Sequence, residues 1–110
     1  MNDGKGFMIV TCKIDPARKE DFKHYAQHAR PIFAKHGGRP IGQYAVAETE
    51  IGDSQTSHVV IMEFPSKDAI RNVFKDPEYI ELVPSRTSAF PVLDIMISEE
   101  FDPAALLQSQ

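Results

Sequence analysis

Five consecutive residues, His36, Gly37, Gly38, Arg39 and Pro40, constrain this chain more than any other stretch. Two adjacent glycines end a helix because one of them can take the left-handed conformation at the C-terminal cap without a Cβ clash. Pro40 keeps the helix from restarting. Before the corner, stepping about 100° per residue places Phe22, Tyr25, Ala26, Ala29, Ile32, Phe33 and His36 on one arc. Lys23, His24, Gln27, His28, Arg30 and Lys35 fall elsewhere. The stretch is therefore a helix-to-strand corner that holds His36 and Arg39 in fixed positions. Asp15 suits the N-cap of that helix and Pro16 its first turn. Pro31 removes one helical hydrogen bond and is expected to bend the last turn.

The remaining elements follow from apolar spacing and from the residues that interrupt it. Residues 7–14 and 58–64 are rich in β-branched side chains and apolar on both faces, which predicts central strands covered on both sides. Residues 41–48 predict a strand that pairs with 58–64 through a polar loop with Gly52-Asp53 as its turn signal. Pro65 stops the strand and Ser66 caps a helix with the stripe Ala69, Ile70, Val73 and Phe74. Asp76-Pro77 breaks that helix and opens a short one over residues 78–83, which Pro84 is expected to end. Residues 90–97 predict the last strand. The first six residues and the tail from Glu99 are expected to be frayed or peripheral, with a weak helix around residues 104–107.

Composition limits the classes of function. The chain has 110 residues, 42% of them apolar and 25% charged, with no shift that divides it, so one domain over residues 1–110 is expected. Sixteen acidic against twelve basic residues give a net charge of −4, and no basic stripe is visible, which argues against nucleic acid as a partner. One cysteine excludes an intrachain disulfide. The first residues lack the basic-then-apolar pattern of a secretory signal, and no apolar run approaches the roughly 20 residues of a membrane helix, so a soluble cytoplasmic protein is the expectation.

The element order is strand, helix, strand, strand, helix, strand. Right-handed crossovers turn this into an α+β, ferredoxin-like βαββαβ fold, a four-stranded antiparallel sheet with its two main helices on one face. The other face needs a second cover, which a homodimer packed sheet on sheet would supply. His36-Gly37-Gly38-Arg39, Glu63-Phe64-Pro65-Ser66, Pro77-Glu78-Tyr79 and Arg86 together resemble the bacterial family known as domain of unknown function thirteen-thirty, over roughly residues 7–97. That family lies in the dimeric α/β-barrel superfamily. The resemblance implies a homodimer whose sheets close into a barrel with a small-molecule pocket in each subunit. The superfamily includes cofactor-independent monooxygenases, muconolactone isomerases, polyketide cyclases and haem-degrading enzymes, so it implies no one reaction.

Five side chains at element ends are the candidate site. His36 and Glu63 are candidates for moving a proton, Glu63 because a carboxylate in an apolar run can have a raised pKa. Arg39 joins them as a catalytic candidate that steadies negative charge on oxygen, and Tyr79 and Arg86 are candidates for holding the substrate. Four of them also have a structural alternative: His36 bonding a strand carbonyl, Arg39 pairing with an acidic residue such as Glu63, Glu63 capping a backbone group or locking the dimer, Tyr79 anchoring its short helix. If they form a site, at least three should line one pocket. His24 and His28 have metal-ligand spacing but face solvent with no third ligand, so no metal is expected. Cys12 is expected to be a buried thiol. No glycine-rich phosphate loop precedes a helix, and no cofactor is expected. These features suit a cofactor-independent enzyme acting on a small carbonyl or aromatic metabolite, as isomerase, cyclase or monooxygenase. The alternative is a non-catalytic small-molecule-binding or stress-associated protein.

Overall fold

The computed structural model describes residues 4–108. Of the ends expected to fray, residues 1–3 and 109–110 lie outside the described residues. The first apolar run forms β1, Gly6–Lys13. Asp15 then accepts the Ala17 N–H at 2.9 Å and caps a single 3-10 turn, Pro16–Arg18, which leads into α1, Lys19–Lys35. α1 continues through Pro31. Pro31 has no N–H for the Gln27 carbonyl, but both residues are exposed and water can replace the missing donor.

The corner after α1 uses its two glycines for different reasons. Gly37 has φ 90°, and its N–H bonds the Ala34 carbonyl at 2.9 Å while the Gly38 N–H bonds the Phe33 carbonyl at 2.9 Å. These two bonds satisfy carbonyls that the end of a helix would otherwise leave open. Gly38 is required by closeness, because a Cβ there would lie 2.5 Å from the Phe64 ring. The end of α1 is thus pressed onto the end of a strand distant in sequence.

That strand is β3, His58–Phe64, which pairs antiparallel with β2, Arg39–Ala45. β2 begins and ends earlier than expected, with a bulge between Pro40 and Gly42, as suits a residue with no N–H for the ladder. Ser66 accepts the Ala69 N–H at 3.0 Å and starts α2, Lys67–Val73; Asp76 accepts the Glu78 N–H at 2.9 Å and starts α3, Pro77–Ile80. The expected single helix over 78–83 needs correction. α3 is shorter, and Pro84 does not end a helix but stands in the first turn of a further one, α4, Val83–Ala89, where an absent N–H costs nothing. β4, Val92–Ser98, and the exposed α5, Pro103–Gln108, complete the described chain.

The strands are ordered β2-β3-β1-β4, all neighbours antiparallel. This is the expected ferredoxin-like sheet. Met8 of β1 and Met62 and Phe64 of β3 form the buried core with Ala29 and Ile32 of α1, Ile70 and Val73 of α2, Tyr79 of α3 and Leu82. The alternate residues face away from the helices. There Ile9 stands between Ile61 and Met96 in register, with Met96 42% exposed.

Gly37→Val should destabilise the fold by about 2 kcal/mol or more, since it places a β-branched residue at positive φ and its Cβ would meet Pro65 at 2.7 Å. Gly52→Ala, also at positive φ (110°) but in open space, should cost less. Urea denaturation of both variants checks the order; equal losses would show that contact with Pro65 contributes nothing.

Candidate functional site

The five candidate residues fall into three separate clusters. At the end of α1, His36 Nε2 lies 2.8 Å and Lys35 Nζ 2.7 Å from Asp76 Oδ2, while Lys35 also pairs with Glu78 at 2.7 Å. Asp76 is 8% exposed. The Lys35 ammonium, then His36, then the Glu78 N–H hold its carboxyl well below the usual carboxylate range. This clamp ties the end of α1 to the start of α3. On the sheet face away from the helices, Glu63 lies between Lys5 at 3.1 Å and Arg39 at 3.2 Å. Its carboxyl is lowered, chiefly by Lys5 and further by Arg39, so the raised value that would suit it to carry protons is not found. The third cluster is a chain within the helical layer: Arg86 Nη1 donates to Tyr79 Oη at 3.2 Å, and Tyr79 Oη lies 2.8 Å from Tyr25 Oη.

The less open of two spaces beneath the helices lies elsewhere. A cavity of about 320 Å³ separates α1 from the helix-facing side of the sheet. Phe22, Tyr25, Ala26, Ala29 and Phe33 of α1 form its roof, and Met8, Val10, Cys12, His58, Val60, Met62, Leu93 and Ile95 its floor. α1 rests on α4 and α3, and Ala26 and Ala29 are the short side chains of the roof. None of the five candidates lines this cavity. A more open recess of about 340 Å³ adjoins it through Leu93 and Ile95 and has Arg86 in its wall. The expectation that three of the five would share one pocket is therefore not met.

Besides Cys12, Tyr25 and His58, the lining includes Arg30 of α1 and Gln43 and Tyr44 of β2, none of them a site candidate read from the sequence. His58 stands opposite Cys12 in register, on the helix-facing side. Its Nδ1 lies 2.8 Å from Ser57 Oγ, which also accepts the Ile14 N–H at 3.1 Å and reaches the Cys12 carbonyl at 3.3 Å. Nε2 has no hydrogen-bond partner among the described residues. The signal that could have found His58 is period-two alternation, since it lies on the same face as Val60 and Met62. Cys12 is buried, and burial pushes its thiol up. Tyr25 is also pushed up, first by burial and then by Tyr79. His24 and His28 stack at 4.3 Å on α1 with His28 Nδ1 2.8 Å from the His24 carbonyl, and among the described residues no group of three potential metal ligands occurs.

Comparison with known proteins agrees with this architecture. Residues 5–101 match the profile of the family described as "Domain of unknown function (DUF1330)". The chain belongs to that family. A crystal structure of a protein of unknown function from Rhodopseudomonas palustris is 25% identical to this DUF1330 chain, covering 93% of it and 86% of the other, with a TM-score of 0.79. A ferredoxin-like protein of the DABB family from Mesorhizobium loti is 15% identical, with coverages of 90% and 97% and a TM-score of 0.66. SnoaB of Streptomyces nogalater, described as a cofactor-independent oxygenase, is 18% identical, with coverages of 92% and 96% and a TM-score of 0.60. These likenesses place the DUF1330 chain in the ferredoxin-like α+β fold. No curated protein matches it in sequence. Among the described residues no helix is long and apolar enough to cross a membrane.

The Asp76 clamp gives a pH signature. A carboxyl lowered by folding adds stability above its unfolded pKa, near 4, and loses it as pH falls through the lower folded value. Asp76→Asn should therefore be less stable than the parent at pH 7, and the difference should shrink steadily below about pH 4. Urea midpoints between pH 2 and 7 measure this; a constant difference would show that the charge of Asp76 is not what matters.

Proposed function

We propose that this protein is a cofactor-independent enzyme that binds a small carbonyl or aromatic metabolite between α1 and the sheet, and moves a proton on it with His58. The supporting observation is the cavity itself: mostly apolar, about 320 Å³, with an imidazole nitrogen in its wall that no described residue engages. A space of that size suits a ring compound, and a few polar groups in an apolar wall are what orient one. Imidazole is the side chain that takes and returns protons near neutral pH. Proton removal from carbon beside a carbonyl breaks the C–H bond, forms N–H on His58 and sends the electron pair to oxygen as an enolate. Isomerisation and cyclisation continue from that species, as does oxygenation with dioxygen as co-reactant. The description of SnoaB as a cofactor-independent oxygenase agrees with this class.

The same reading includes a cytoplasmic homodimer. Ile9, Ile61 and Met96 form an apolar centre on the face away from the helices, bordered by the Lys5–Glu63–Arg39 cluster. Burying such a face contributes roughly 25 cal/mol per Å² before the cost of association. In this arrangement Arg39 and Glu63 border the interface, and His36 holds α1 to α3.

Sedimentation should give the mass of two chains, and Ile9→Asp should give one chain with its circular dichroism kept; a monomeric parent would overturn the dimer. For activity, small β-dicarbonyl and polyphenol compounds are screened by mass change under air and under nitrogen. Turnover should be lost in His58→Gln, with binding kept, and both should be lost in Val60→Phe, which fills the cavity. Unchanged turnover in both variants would place the chemistry elsewhere. Binding without turnover across the screen would favour the non-catalytic carrier.

A further inference from the structure

The Arg86–Tyr79–Tyr25 chain can be given a direction by counting protons. Tyr79 is 1% exposed, so its hydroxyl proton has no access to solvent and needs an acceptor within the protein. Its hydroxyl has two partners, Arg86 Nη1 at 3.2 Å and Tyr25 Oη at 2.8 Å. A guanidinium has only donors. Arg86 must therefore donate to Tyr79, and the Tyr79 proton can go only to Tyr25. The Tyr25 hydroxyl, already accepting, keeps its own proton, and among the described residues no second acceptor is in reach of it. Tyr25 lines the cavity. The chain thus runs one way, from a cation to the hydroxyl of a residue that lines the cavity.

Charge gives the chain a preference as well as a direction. Arg86 has no carboxylate partner among the described residues, and its guanidinium carbon lies 5.7 Å from the centre of the Tyr79 ring. Each donated bond polarises the next, so the Tyr25 hydroxyl donates more strongly than it would without Arg86 behind Tyr79. Phe74, Phe33 and Phe90 pack on the two tyrosine rings at 5.0–6.1 Å, and a donor held among apolar rings interacts more strongly with charge than one in bulk water.

We propose that Tyr25 is the oxygen-recognition residue of the cavity, donating its hydroxyl to an enolate or phenolate oxygen of the bound molecule, with Tyr79 and Arg86 as the positioning residues that fix and strengthen that donation. This rests on the cavity reading above and names the chemical class the cavity prefers: compounds with an ionisable oxygen on or beside a planar apolar body. Tyr79 and Arg86, singled out in the sequence as substrate-holding residues, then act through Tyr25 and do not touch the ligand.

The probe is 4-nitrophenol, whose ionisation is followed by its colour, with 4-nitrotoluene as the analogue that lacks the hydroxyl. Both are titrated into the intact protein by calorimetry, and the pKa of bound 4-nitrophenol is read by absorbance. A bare apolar cavity favours the neutral phenol; the donor chain opposes this. Tyr25→Phe should therefore raise the pKa of the bound phenol by about one unit, a tenfold loss of phenolate affinity, and leave 4-nitrotoluene affinity within about twofold. Arg86→Met should shift the same pKa in the same direction, and Arg86→Lys should restore part of it. If both compounds bind and Tyr25→Phe leaves the pKa of the phenol where it was, the donor chain is overturned and the cavity reading stands. If neither compound binds the parent protein, the cavity reading fails and the chain with it.

Discussion

Tyr79 is the point at which the helical layer meets. Its ring is buried among Tyr25 and Phe33 of α1 and Phe74 at the end of α2, and its hydroxyl joins Tyr25 to Arg86 of α4. A buried hydroxyl is stable only if its hydrogen bonds are made, so the burial of this side chain requires the three helices to stay where they are. With α1 held from above in this way, the apolar floor of the sheet is left partly unfilled. The cavity follows from where α1 is fixed: Ala29 and Ile32 join the core with Met8, Met62 and Phe64, while Phe22, Tyr25 and Ala26 border the space left over the strands.

The polar clusters divide the work. Asp76, Lys35 and His36 tie the end of α1 to the start of α3, and Gly37 and Gly38 press the same end against Pro65 and Phe64. Lys5, Glu63 and Arg39 lie on the opposite side of the sheet, with the cavity and the strands between them and the helices. The cavity wall carries Cys12, Tyr25, Arg30, Gln43, Tyr44 and His58 as its polar or polarisable side chains, and no hydrogen bond among the described residues takes up His58 Nε2 or the Tyr25 proton. Proton transfer and oxygen recognition are thereby assigned to different faces of one space, His58 on the strands and Tyr25 on the helix.

Much of the fold was legible because it depends on local signals. The β-branched apolar runs in residues 7–14 and 58–64, the arc on α1, the caps at Ser66 and Asp76 and the double glycine each state a local preference that the tertiary structure keeps. Pro84 misled because proline both ends helices and begins them, and only the residues after it decide which. The site was less legible for a physical reason. His36, Arg39 and Glu63 stand at element ends, where catalytic groups occur, but element ends are also where caps and clamps are needed; the partner that decides His36, Asp76, lies 40 positions away. A cavity is a difference between the space the backbone encloses and the volume the side chains fill. No periodicity reports that difference. Tyr25 was placed on the packed arc, and nothing in the sequence distinguishes packing against atoms from packing against a space.

A crystal structure of the protein with 4-nitrophenol bound tests the central claim most directly. The ring should lie between α1 and the strands, its phenolic oxygen about 2.7 Å from Tyr25 Oη, with Arg86 and Tyr79 unmoved behind it. A ring bound in the Arg86 recess or beside Arg39 and Glu63, with the space under α1 empty or closed, would contradict it.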